Sequence, residues 1–250
     1  MDRVLTREIL DDLCVDDARA VRARRDLQRV HRVMGTRAIV LRAIHTMHTL
    51  HHRTEPLRVL ELGAGDGSLM LGIAREMATQ WPRVHLTLLD AQPLVTQACL
   101  DNFAELGWAA HSTVVDVFDW AQDHDKPNDR GQTQQHWDLI VANLFLHHFD
   151  MQQLQDLLRT IAARGNRFLA CEPRRAWLAL LGSHLVGALG TSAVTQNDAV
   201  LSVHAGFRGD ELSALWPGAF TEWRVREYAA GLFSHCFVAQ TIEDRDANPI

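Results

Sequence analysis

The chain has 250 residues, 47% of them hydrophobic and 22% charged, which supports a buried core in one large α/β domain or a domain with a cap. A formal net charge of −6 argues against a nucleic-acid-binding surface, and no apolar run is long enough to span a bilayer. The N-terminal MDRVLTREILDD is too charged for a signal peptide, and Cys14, Cys99, Cys171 and Cys236 form no CxxC pair; we expect a cytoplasmic protein with reduced thiols and no membrane partner.

The first 54 residues read as an N-terminal helical cap. In DDARAVRARRDLQRVHRVMG, Val21, Leu27, Val30 and Met34 recur at roughly helical spacing, and Gly35 marks a stop. The arginines between them read as a solvated face, since Asp11, Asp12, Asp16 and Asp17 precede them. Residues 55–250 read as the main domain, whose regular alternation begins at Leu57. Its strand-like runs are 57–62, 84–90, 112–118, 137–144 and 166–173, separated by helix-like segments at 68–80, 93–106 and 151–163. Short apolar strands alternating with amphipathic helices predict right-handed βαβ units and a parallel sheet. The polar stretch DHDKPNDRGQTQQH, residues 123–136, reads as a peripheral, mobile loop.

After Pro173 the alternation breaks. Residues 174–219 hold a small-residue helix, AWLALLGSHLVGALG, and a polar connector, TSAVTQNDAVLSVHAGF; we expect this insertion to form a lid. FTEWRVREY and LFSHCFVAQ then read as two strands joined by a turn at Ala229–Gly231. The predicted fold is a Rossmann-like seven-stranded α/β sheet, five parallel strands plus a C-terminal hairpin, with helices on both faces.

The stretch RVLELGAGDGSLM, residues 58–70, places Gly63, Gly65 and Gly67 directly after the first strand. Open α/β sheets bind ligands outside the carboxyl ends of their strands, so this is a binding-loop position. A dinucleotide fingerprint is GxGxxG, but here the spacing is GxGxG and Ser68 stands where the third glycine belongs. There is no GK[ST], which excludes a P-loop. Asp90, Ala91 and Gln92 end the second strand, and an acid there accepts hydrogen bonds from ribose hydroxyls.

Together these residues resemble motif I and its neighbours in class I S-adenosylmethionine-dependent methyltransferases. The resemblance implies S-adenosyl-L-methionine as cofactor, held by Glu61, Gly63, Ala64, Gly65, Asp66 and Gly67, by Asp90, Ala91 and Gln92, and by the ends of the next two strands. There it implies that Asp116 accepts from the adenine amino group, Val117 donates its backbone N–H, and Asn143 and Leu144 line the methionine end. The sequence NLFLHHF resembles the ubiquinone/menaquinone-biosynthesis-like small-molecule methyltransferases. RRDLQRVHRVMG, CEPRR and NDAVLSVHAGF with GDELSALWP resemble a bacterial subgroup often encoded beside type III polyketide synthases, although His204 stands where that subgroup has arginine.

The resemblance therefore implies methyl transfer to a small phenolic, aromatic or quinone-type acceptor, with oxygen favoured over carbon. Asn143-Leu144-Phe145-Leu146 lacks the Asn/Asp-Pro-Pro-aromatic turn of DNA base methyltransferases. The acidic DHDK at 123–126 precedes the fourth strand, unlike the ligands of metal-dependent catechol enzymes, so no metal is expected. A phenol, with a pKa near 10, benefits from a base; His148 is the first candidate and His147 the second. Arg174, Asp198 and His204 are candidate acceptor-orienting residues in the lid. A catalytically silent scaffold and a nicotinamide-dependent oxidoreductase are the rival readings, and the oligomeric state is left open.

Overall fold

The computed structural model describes residues 1–47, 55–81, 83–122, 136–219 and 221–242. Its centre is β1 (Leu57–Leu62), flanked in parallel by β2 (Val84–Asp90) and β4 (Leu139–Asn143). With β3 (Trp108–Val114), β5 (Arg167–Pro173), β6 (Trp223–Ala230) and β7 (Ser234–Thr241), the sheet order is β3-β2-β1-β4-β5-β7-β6. The first five strands run parallel, and β7 pairs antiparallel with both β5 and β6. This is the predicted Rossmann-like plan with its terminal hairpin.

Apolar content explains the layering. Every residue of β5 is buried, so both sheet faces are covered there, as a parallel sheet requires. One face packs α3 (Ser68–Met77) through Met70, Ile73 and Met77 onto Val59, Leu86 and Leu88. On the other face α6 (Met151–Arg164) lays Leu154, Leu157, Leu158 and Ile161 against Leu60, Leu62, Ile140 and Phe168. Asp150 and Gln153 close a reciprocal capping box at the start of α6.

Helices α1 (Ala18–Met34) and α2 (Thr36–His45) precede the sheet, with Gly35 between them at φ 68°. That left-handed conformation suits glycine and ends α1 where the sequence predicts. The buried face of α1 is Ala20, Ala23, Asp26 and Val30, not the larger Val21, Leu27 and Met34, which are half-buried. Small residues win because Asp26 must approach α8 (Ala193–Ala205) closely: its carboxylate accepts the Ser192 N–H at 2.7 Å. Helix α2 inserts Val40, Ala43 and Ile44 into the same core as β1 and α3.

Two expectations are corrected. The third strand spans Trp108–Val114 rather than 112–118, and Val117 instead opens α5 (Val117–Gln122). The Val114-Val115 pair suggested a later strand, but Trp108 is the inward anchor, stacked on Trp81 and Phe103, and the outer strand tolerates exposed His111 and Ser112. The polar connector at 191–207 is the helix α8, capped by Ser192, whose side chain accepts the Thr195 N–H. It carries no clean amphipathic stripe because it packs against α1, α7 (Trp177–His184) and the N-terminal segment at once. Of the predicted peripheral loop, 123–135 lies outside the described residues.

Candidate active site

The strand order turns outward in both directions from β1 and β4, so the crevice beyond their carboxyl ends is where a ligand fits. The glycine turn leaves β1 there, and its three glycines all have positive φ: 65° at Gly63, 56° at Gly65 and 77° at Gly67. They answer different demands. A side chain on Gly63 would lie 2.3 Å from the Phe145 ring, and one on Gly67 would crowd Cys99 and Leu88 at 3.2 Å. Only Gly65 faces open space, so it alone of the three leaves bare backbone free for a ligand.

Asp90 fixes this turn from β2. Its Oδ2 accepts the Gly65 N–H at 2.8 Å and its Oδ1 accepts the Gln92 N–H at 2.9 Å, while the Ala64 N–H reaches the Leu89 carbonyl at 3.0 Å. Each carboxylate oxygen retains a lone pair for a ribose hydroxyl. Ala91 is exposed beside them. Asp66 accepts the Ser68 N–H at 3.0 Å and an amide N–H from Gln28, which docks α1 on the turn. Asp116 lies past the end of β3, where its Oδ1 accepts the Phe118 N–H at 2.7 Å.

The site is acidic and incompletely satisfied. Glu61, 2% exposed, has an Oε2 with no hydrogen-bond partner among the described residues, and burial followed by the neighbouring Asp66 and Asp90 charges pushes its pKa well above the ordinary carboxylate range. On the adjacent strand, Asn143 Oδ1 at the end of β4 is likewise buried and unpartnered among the described residues. Leu144 follows at φ 50°, the sole non-glycine residue with positive φ among those described. Such a residue is strained and persists where its surroundings hold it.

What holds it is Glu172, at the end of β5. Its Oε1 accepts the Phe145 and Leu146 N–H groups at 3.1 and 3.0 Å, and its Oε2 lies 2.8 Å from His147 Nδ1. His147 Nε2 faces Glu8 Oε1 at 3.4 Å, so both ring nitrogens of this buried histidine meet carboxylates. Burial alone would lower its pKa; the Glu172 and Glu8 hydrogen bonds outweigh that and hold it at about 9. His147 is therefore an imidazolium at neutral pH. His148 is half-buried, with Nδ1 3.2 Å from Asp11 Oδ2 and its ring 4.3 Å from that of His147. Glu8, His147 and His148 each offer one ligand atom, and the three atoms lie within 4.8 Å of one another.

The remaining sequence candidates are placed as follows. Asp198 accepts the Ile9 and Leu10 N–H groups at 2.9 and 3.0 Å, so it holds the N-terminal segment. His204 contributes its carbonyl to the Val4 N–H at 3.1 Å. Arg174 turns to the hairpin, donating to the Gly231 carbonyl at 3.3 Å, whereas its neighbour Arg175 is buried and reaches the Met1 and Gly206 carbonyls and Glu211. Arg3 completes the N-terminal attachment by donating to the Phe149 carbonyl at 2.8 Å and the Ala205 carbonyl at 2.7 Å. Sequence reasoning missed Glu8 and Arg3, because nothing local marks a residue whose partners lie more than a hundred positions away. Glu172 carried a faint signal, an acid before a proline at a strand end. The DHDK stretch lies outside the described residues.

Residues 60–166 match the family model described as a methyltransferase domain. No curated protein sequence matches this chain. Among solved structures, the plantazolicin methyltransferase BpumL in complex with SAH superposes with a TM-score of 0.61 at 12% identity, over 90% of this chain and 91% of that one. The plantazolicin methyltransferase BamL, in complex with a triazolic desmethylPZN analog and SAH, gives 0.59 at 12% identity, over 86% and 90%. LepI in complex with SAM gives 0.50 at 14% identity, over 80% of this chain and 46% of that one. At such identities the likeness to these structures is one of fold. The family match takes in the glycine turn, Asp90 and the β4 end, so residues 60–166 resemble a methyltransferase domain in sequence as well as in fold.

Proposed function

We propose that this chain is an S-adenosylmethionine-dependent methyltransferase that acts on a small phenolic or quinone-type acceptor, at oxygen in preference to carbon. The observation that carries the cofactor half is the pair of unpartnered buried acceptors on adjacent strands, Glu61 Oε2 on β1 and Asn143 Oδ1 at the end of β4. An acidic crevice with orphaned acceptors fits a cofactor that bears an ammonium group and a sulfonium. When bound, the cofactor supplies an electrophilic methyl carbon.

The chain's own residues position and deprotonate. Gly65 and Asp90 hold the nucleoside half, with Asp116 and Val117 toward the base; Glu61 and Asn143 hold the amino-acid half. With the cofactor bound, its methyl carbon would be open to in-line displacement by an acceptor oxygen, with the sulfur as leaving group. Holding the two atoms in line supplies most of the rate. His148 takes the acceptor's proton, oriented by Asp11, and is favoured over His147, whose nitrogens are both engaged. Residues 1–54 act as a cap and 174–219 as a lid, with Asp198 and His204 near the acceptor through the N-terminal segment they bind.

The test is incubation with methyl-labelled cofactor and a panel of phenols, catechols and hydroquinones, with product structure read by NMR. Label on a phenolic oxygen, lost in His148→Ala but not in His184→Ala at the exposed end of α7, supports the reading. Tight S-adenosylhomocysteine binding with no labelled product from any acceptor overturns it in favour of a silent scaffold.

A further inference from the structure

We propose that Glu8, His147 and His148 form an inhibitory site for a divalent transition-metal ion of the zinc class. One ligand atom from each lies within 4.8 Å of the others, and a carboxylate oxygen with two imidazole nitrogens is a donor set that zinc takes. The group is partly enclosed: His147 is buried, and Glu8 and His148 are half-buried.

The surrounding contacts orient the set. Glu172 engages His147 Nδ1 at 2.8 Å and Nε2 faces Glu8 Oε1 at 3.4 Å, so an ion taken up between Nε2 and Oε1 displaces the Nε2 proton to solvent. A carboxylate behind a histidine in this way fixes the ring and the nitrogen presented to a metal. Asp11 stands at 3.2 Å from His148 Nδ1 in a similar relation. Three carboxylates, Glu8, Asp11 and Glu172, thus surround two imidazoles, and a dication offsets that excess of negative charge. Three protein ligands leave one tetrahedral position for water or an acceptor oxygen.

Glu8 belongs to the N-terminal segment, whereas the histidines belong to the turn after β4. An ion at this site pins the segment across the turn and occupies His148. The inhibition rests on the reading of His148 as the proton acceptor; the binding does not.

The experiment is calorimetric titration of zinc chloride into the full chain after chelator treatment, with metal content measured by elemental analysis. Wild type and His184→Ala take up one ion each with a Kd on the order of micromolar, and Glu8→Gln and His148→Ala bind at least about tenfold more weakly. S-adenosylhomocysteine binding by each variant shows that it is folded and keeps the two proposals separate. Methyl transfer by wild type falls as the site fills, and a chelator restores it. No saturable uptake, or uptake indifferent to Glu8→Gln and His148→Ala, overturns the site. Uptake of one ion with undiminished methyl transfer overturns its inhibitory role.

Discussion

Glu172 and His147 meet at 2.8 Å, both almost wholly buried, and the same carboxylate accepts the first two backbone N–H groups after the strained Leu144. One side chain from β5 therefore shapes the turn leaving β4, which brings together the end of the cofactor crevice and both histidines. Position 172 is a structural keystone and an electrostatic one.

Removing that carboxylate leaves a buried imidazolium facing Glu8 alone and two N–H groups without acceptors. Glu172→Ala is expected to cost about 3–5 kcal/mol, the range for breaking one side of a buried ion pair. Glu172→Gln keeps an oxygen for Phe145 and Leu146 and costs about half as much. Urea denaturation of both variants decides; equal losses would mean that the backbone bonds contribute nothing.

The glycine turn separates packing from binding. Gly63→Ala forces a methyl group to 2.3 Å from the Phe145 ring at a φ of 65°, and is expected to destabilise the fold by about 2–5 kcal/mol. Phe145→Ala in the same chain recovers the steric part. Gly65→Ala meets open space and costs only the left-handed strain, about 1–2 kcal/mol, yet weakens S-adenosylhomocysteine binding by about tenfold or more. Denaturation and calorimetry on the two variants give opposite rankings if this division is right.

The sheet was legible because parallel strands buried on both faces read as short apolar runs, and the glycine turn and Asp90 because their chemistry is local. Strand β3 was misplaced because an edge strand follows its neighbours rather than its own hydrophobicity. Helix α8 was read as a polar connector because Asp198 and Thr195 are buried to serve partners on the N-terminal segment and α1, which erases the apolar stripe. Glu8 was invisible for a related reason. Its role arises only when the chain's first turn crosses to a strand end near position 147.

Asp90 is expected to be the strongest single determinant of cofactor affinity. Its carboxylate both accepts the Gly65 N–H and offers lone pairs to a ribose, so Asp90→Ala loses an internal and an external set of bonds. Hydrogen bonds to a charged group contribute about 1.5–3 kcal/mol, which converts to roughly tenfold to more than hundredfold weaker S-adenosylhomocysteine binding. Asp90→Asn retains one acceptor oxygen and falls between. An unchanged Kd in Asp90→Ala would remove the ribose anchor from this site.

His31 gives the protein an acid limit. Its Nε2 is enclosed on α1 without a partner among the described residues, and burial pushes its pKa down to about 4, only partly opposed by the Asp66 charge. The unfolded chain protonates this histidine near pH 6.5, whereas the folded chain resists until about pH 4. The neutral form therefore stabilises the fold fully above pH 6.5, and that contribution is lost as pH falls from 6.5 to 4. The size is on the order of 2 kcal/mol, less than the full shift implies because the residue is only half-buried and its outer edge meets solvent. His31→Gln carries no titrating ring, so its stability should fall less steeply over that interval in urea denaturation series at closely spaced pH. Parallel curves for the two proteins would show that the ring escapes its enclosure before it titrates.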